Sequence, residues 1–208
     1  SLRGTKSSSL AFLQDLSRRL SNREFRSSVV TVRGSLKGGY SSDVLGRMAS
    51  ADALVLVFPL YGYGLPGALM RLLEDFHHYV TTGESYNRDM RVYVVVNCAY
   101  PRPELTTGEA VRVVRNVCRR MGLTWRFAVC IGTGPVVALT KRVPFLDLKL
   151  KAAFADIATD IAEGRTAEAA DRFIHPVIPE SIIRRIREYY EKKGEMIART
   201  TDGKPEVT

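Results

Sequence analysis

At 208 residues the chain is long enough for one domain with a substantial core, and 45% apolar with 25% charged residues marks a globular protein rather than a disordered or fibrous one. No apolar run approaches the roughly 20 residues of a bilayer span, and no charged, apolar, small-residue leader opens the sequence, so the expectation is a cytoplasmic protein with no membrane partner. A net charge of +9 admits nucleic acid, an anionic membrane or small phosphorylated ligands. No helix-turn-helix, zinc-finger or aromatic RNA-binding signature accompanies it, so no nucleic-acid partner is expected.

In chain order, Ser7, Ser8 and Ser9 are suited to capping a first helix whose face carries Leu10, Leu13, Leu16 and Leu20. Residues 25–32 are predicted as a strand, with Val29, Val30 and Val32 its apolar part. A polar, glycine-rich connection over 34–42 leads to a short helix near 43–49. Residues 53–58 are an unbroken apolar run, suited to a strand buried on both faces. It stops at Pro59, which has no N–H to continue a ladder. Leu60, Tyr61, Gly62, Tyr63 and Gly64 form a glycine- and tyrosine-rich loop, and after Pro66 the residues Leu69, Leu72, Leu73, Phe76 and Val80 recur at helical spacing. A strand feeding such a loop and then a helix is where open α/β sheets hold flat ligands, beyond the carboxyl ends of the strands.

Residues 91–97 make a second buried strand, ending at Asn97 and a loop over 98–103 that contains Cys98 and Tyr100. A helix with Val114, Val117, Cys118 and Met121 inward closes at Gly122. Residues 125–131 are a further strand leading into the loop 132–135, and Leu150, Phe154, Ile157 and Ile161 mark a helix ended by Gly164. Alternating strands and helices imply a parallel, doubly wound α/β sheet. The expected division is a main domain over 1–165 and an extension over 166–208, the latter with an amphipathic helix (Ile182, Ile183, Ile186, Tyr189, Tyr190) and a disordered polar tail from Thr200. The basic cluster of Arg184, Arg185, Arg187, Lys192 and Lys193 reads as a solvated helix face or a partner surface. Cys98, Cys118 and Cys130 are odd in number and lie in apolar contexts, which suits buried thiols rather than a disulfide or metal site. His77 and His78 are adjacent on a helix and point apart, so no metal is expected.

Two stretches carry a resemblance. The opening Ser1-Leu-Arg-Gly-Thr-Lys-Ser-Ser-Ser resembles the first-loop phosphate motif of the flavodoxin-like NADPH-dependent FMN reductases and NAD(P)H:quinone oxidoreductases. Pro59, Tyr61, Pro66, Gly67, Arg71 and Asp75 fill the slots of that family's second motif. The resemblance implies a three-layer α/β/α flavodoxin-like sheet of order 2-1-3-4-5, whose first strand would precede Ser1 and has no candidate in the sequence. It also implies an enzyme that takes electrons from NADPH or NADH through bound FMN to a small acceptor such as a quinone, flavin, azo or nitro compound, assembled as a homodimer. The alternative is a flavodoxin-type electron carrier or redox-sensing module without nicotinamide activity. Ser1, Arg3, Ser7, Ser8 and Ser9 are the expected phosphate-binding residues, at a helix N-terminus whose free N–H groups favour a dianion. Pro59, Leu60, Tyr61, Gly62, Tyr63, Asn97, Cys98 and Tyr100 are the expected contacts to the flavin ring. No catalytic acid, base or nucleophile is expected, because the chemistry of such proteins belongs to the cofactor.

Overall fold

The computed structural model describes residues 7–21, 25–32, 42–83, 85–139 and 144–175 together with Arg184 and Glu188, and the side chains of 137–147 lie outside that description. The chain divides into two compact units, Ser1–Pro176 and Val177–Thr208. In the second, Arg184 and Glu188 are helical and form an i,i+4 ion pair at 4.0 Å. The predicted helix residues Ile182, Ile183, Ile186, Tyr189 and Tyr190, and the tail from Thr200, lie outside the described residues.

The first unit is built from α1 (Ser8–Ser21), α2 (Ser42–Ala49), β1 (Ala53–Pro59), α3 (Gly67–Thr81), β2 (Arg91–Asn97), α4 (Gly108–Met121), β3 (Thr124–Ile131), α5 (Gly134–Leu139), α6 (Pro144–Ala162) and β4 (Arg172–Ile174). The four strands form one parallel sheet in the order β1-β2-β3-β4. Apolar side chains alternate between its two faces, as the period of two requires. Leu56, Phe58, Val92, Val94, Val96, Ala128 and Cys130 pack under α2, α3 and α4. Tyr93, Val95, Phe127, Val129 and Ile131 pack under α1 and α6. The result is the expected α/β/α layering, and β1, β2 and β3 follow one another as strands 3, 4 and 5 of the expected order would.

Three sequence readings are corrected. Residues 25–32 form no strand. In the 2-1-3 order that segment would pair with a first strand, not with β1, and among the described residues no strand offers it a ladder. Val32 instead packs against the apolar cluster that α2, α3 and α4 share with the sheet. In α1 the buried stripe is Ser9, Phe12 and Leu16 with Leu20 packed beside it, so two of the four expected leucines hold their place, while Phe12, edge-on to Phe154, joins them and Leu10 and Leu13 do not. Loop 132–135 already starts a short helix at Gly134.

β4 was not foreseen, and it draws part of the segment beyond residue 165 into the sheet. Its connection from β3 runs through α6 on the face opposite to α3 and α4, so it has the opposite hand to the two crossovers before it. Only three residue pairs hold it to β3. Among the described residues, no helix is long and apolar enough to cross a membrane.

Candidate functional site

The carboxyl end of β2 meets the N-terminus of α1, and the loop that follows β1 is bonded to the same strand end. Ser7 caps that helix, its Oγ accepting from Leu10 N–H at 3.1 Å while its carbonyl accepts from Ala11. The N–H groups of Ser8 and Ser9, first in the helix, have no intrahelical partner. Ser9 is buried and its hydroxyl donates to Oδ1 of buried Asn97, the last residue of β2, at 2.8 Å. The backbone carbonyl of Asn97 accepts from Leu60 N–H at 2.8 Å, just past the end of β1. One asparagine therefore joins the serine-rich helix entry to the Pro59 loop. Ser9→Ala is expected to lower the unfolding free energy by about 1–2 kcal/mol by stranding a buried carbonyl. Urea denaturation reads this out, and an unchanged midpoint would mean the bond does not hold α1 to β2.

After Pro59 and Leu60 the chain turns tightly. Tyr61 and Gly64 bond each other in both directions, at 3.1 and 2.9 Å, and the two residues between them have positive φ, 52° at Gly62 and 65° at Tyr63. This is the geometry of a type I′ turn, in which glycine favours the second central place. A tyrosine there costs on the order of 1 kcal/mol. Its ring lies over Tyr100, with centroids 6.1 Å apart and planes 14° from parallel. Donating its hydroxyl hydrogen to Tyr63, and repulsion between the two phenolates, raise the Tyr100 phenol above its ordinary range. Both rings are about half exposed, 54% for Tyr63 and 50% for Tyr100.

The third loop locks the second. Gly134 N–H donates to the Cys98 carbonyl and Thr133 N–H to the Tyr100 carbonyl, both at 2.8 Å. A Cβ at Gly132 would sit 2.6 Å from the Pro101 carbonyl oxygen and 2.9 Å from that of Tyr100, and one at Gly134 would sit 2.8 Å from the Asn97 side chain. Gly132 N–H also reaches the Ile174 carbonyl of β4, next to the pair of His175 and Glu104 at 2.7 Å. Thr133, with φ 50°, holds this loop against the one that follows β2.

Of the predicted residues, the structure brings together Ser7, Ser8, Ser9, Pro59, Leu60 and Asn97, and it joins Tyr63 to Tyr100. Tyr61 is 39% exposed at the start of the turn, and Gly62 has nothing within 4 Å of where a Cβ would be. Cys98 is buried, its thiol within 3.4 Å of the Tyr100 carbonyl. Ser1 and Arg3 lie outside the described residues. Burial pushes the Cys118 and Cys130 thiols up to about 12, so both stay protonated and unreactive at neutral pH. A cavity of about 290 Å³ lies elsewhere, between α6 and β4, lined by Lys149, Ala153, Asp156, Asp171 and Arg172 among others; none of the predicted site residues borders it.

Nearer the amino ends of the strands lies a buried charged group that the sequence did not suggest. Arg126, only 2% exposed, is the extra residue of a β-bulge: Val92 pairs with Trp125 and Tyr93 with Phe127. Its guanidinium grips Asp160 of α6 with Nε and Nη2 at 2.9 and 2.7 Å, and the Tyr93 hydroxyl donates to the same carboxylate at 2.6 Å. Nη1 has no partner among the described residues. Burial alone would raise the Asp160 carboxyl, but the Arg126 and Tyr93 hydrogen bonds outweigh it and hold the group below its ordinary range. Burial and the Asp160 charge together raise the Tyr93 phenol.

No family model matches the chain, and no curated protein matches its sequence. Among solved structures it is similar to the azoreductase AzrA, with 16% identity over 76% of this chain and 93% of the other and a TM-score of 0.44. An azoreductase from Bacillus anthracis str. Sterne shares 16% identity over 76% of this chain and 92% of its own, with a TM-score of 0.44. The Trp repressor binding protein from Bacillus subtilis shares 14% identity over 49% of this chain and 72% of its own, with a TM-score of 0.39. Those names describe the neighbours. The α/β architecture of this chain rests on its own parallel sheet and two helical layers.

Proposed function

We propose that this chain binds FMN at the carboxyl ends of β1, β2 and β3 and passes electrons from NADH or NADPH to a small acceptor. The observation that carries this reading is the Ser9–Asn97 hydrogen bond, which sets a helix N-terminus beside the end of a buried strand and its neighbouring loop. The residues suit the cofactor. Ser8 and Ser9 keep backbone N–H donors at the positive end of α1, and the Ser7 and Ser8 hydroxyls add more, as a phosphate dianion requires. Pro59, Leu60 and the side-chain-free face of Gly62 leave room for a flat ring to approach backbone.

Bound FMN would supply the hydride and electron chemistry. The chain's own part is to hold the phosphate at α1, to orient the ring edge against the loop backbone, and to keep Asn97 fixed between them. Its net charge of +9 favours the approach of anionic nucleotides. Purified protein is expected to take up FMN, show the absorbance of oxidised flavin, and bleach on mixing with NADH or NADPH. Protein that takes up no FMN overturns the reading, and flavin that binds but is reduced by neither nucleotide leaves an electron carrier. A homodimer is part of the same proposal, tested by mass in solution.

A further inference from the structure

We infer that Asn97 reads the phosphate of the ligand, donating from Nδ2 beside the N-terminus of α1, and that Ser9 and Gly134 hold its carboxamide in the orientation that does so. This deepens the proposed function and rests on it for the identity of the ligand. The resemblance implies a contact from Asn97 to the flavin ring; its side chain instead meets the first turn of α1. Asn97 is only 4% exposed, and the two ends of its carboxamide have different fates. Oδ1 accepts from the Ser9 hydroxyl, whereas Nδ2 donates to none of the described residues. A buried amide N–H left without an acceptor is costly. Among the described residues, the wholly enclosed side-chain nitrogens and oxygens without a partner are Trp125 Nε1 and Arg126 Nη1. Asn97 Nδ2 is not one of them, so this unpartnered donor reaches open space.

Its neighbours are donors as well. The N–H groups of Ser8 and Ser9 stand at the positive end of a 14-residue helix. A ligand group that meets all of these must accept several hydrogen bonds and carry negative charge, as a phosphate does and an uncharged hydroxyl does not. With the carboxamide turned over, Oδ1 would face that anion and repel it. Ser9 opposes the turn by donating to Oδ1. Gly134 leaves the space the amide occupies, since a Cβ there would lie 2.8 Å from both Cβ and Nδ2 of Asn97. Ser9 and Gly134 are thus positioning residues for Asn97, and the arrangement selects FMN over riboflavin, which has the same ring and no phosphate.

The test titrates FMN and riboflavin into the unaltered protein, Asn97→Asp and Gly134→Ala, with melting temperatures to check the fold. Asn97→Asp keeps an acceptor for Ser9 but sets a carboxylate oxygen where the N–H stood. FMN affinity is expected to fall about tenfold to a hundredfold, the usual effect of losing a hydrogen bond to a charged group, while riboflavin affinity changes by less than about threefold. Gly134→Ala, which displaces the amide, is expected to lower the preference for FMN in the same direction. An FMN-to-riboflavin ratio in Asn97→Asp equal to that of the parent overturns the inference. A second measurement needs no variant: inorganic phosphate is titrated into the parent while the side-chain amide signals are followed by NMR. The Asn97 pair is expected to move and the Asn87 pair, already bonded to the Ala51 carbonyl, to stay. An Asn97 pair that phosphate leaves in place also overturns the inference. Failure of the flavin reading shows differently: neither flavin then binds the parent, while phosphate still moves the Asn97 pair.

Discussion

Asp160→Ala is expected to lower the unfolding free energy by about 3–5 kcal/mol, the usual consequence of leaving a buried charge without its partner. Arg126 is wholly enclosed, and its Nη1 already lacks a hydrogen bond among the described residues. Without the carboxylate, Nε and Nη2 would be stranded too, and the Tyr93 hydroxyl would lose its acceptor. Replacing both members with apolar side chains, as in Arg126→Met with Asp160→Leu, should recover most of the loss, because the pair itself adds little beyond what its own desolvation costs. The effect also has a pH signature. The Asp160 carboxyl titrates lower folded than the ordinary 3.8. Its stabilising contribution is therefore complete above that value and is lost as pH falls through the folded one. Urea midpoints should separate the parent and Asp160→Ala widely at pH 7, and the gap should narrow as the pH falls through the folded carboxyl's lowered value. Equal midpoints at pH 7 would show that the triad is not a stability element.

Gly132→Ala is expected to cost about 1–3 kcal/mol as an overpacking change and to weaken FMN binding. The new methyl would meet two backbone oxygens, those of Pro101 and Tyr100, and the Pro103 ring at 2.9 Å. Backbone oxygens do not swing aside as a flexible side chain does, so the whole loop after β2 must shift. That loop begins at Cys98, whose neighbour Asn97 ties the Pro59 loop to α1. Gly62→Ala is the control. Its Cβ would meet nothing, so its effect is confined to a φ of 52° that alanine rarely adopts. Thermal unfolding and flavin titration of both variants separate the two mechanisms. A Gly132→Ala protein that binds FMN like its parent would place the flavin away from the loop after β2.

The central strands were legible because each is an apolar run buried on both faces, and nothing else that short has such a composition. Helix ends were legible where a residue has one conformational use, as at Gly122, whose φ of 67° closes α4, and at Gly164, whose φ of 64° follows α6. The segment 25–32 misled because valines report a preference for extended backbone but not whether a neighbouring ladder exists. β4 has three residues, too few to show a period, and its pairing depends on where α6 returns the chain. The sequence nominated the tyrosines but not their mutual stacking, which is a matter of two loops 37 residues apart in the chain. Arg126 left one trace: a single charge inside an otherwise apolar strand, which can only be tolerated beside a buried acid.

The bulge at Arg126 changes how that strand counts. Trp125 lies toward α4 and Phe127 toward α6, as alternate residues would not in an unbroken strand. Remove the arginine, and the tryptophan and phenylalanine become direct neighbours that still fall on opposite sides. The inserted residue thus leaves the parity of every apolar partner intact. It can be viewed as an addition to an otherwise hydrophobic blueprint, one whose deletion, with a matching aliphatic at Asp160, preserves both packed layers.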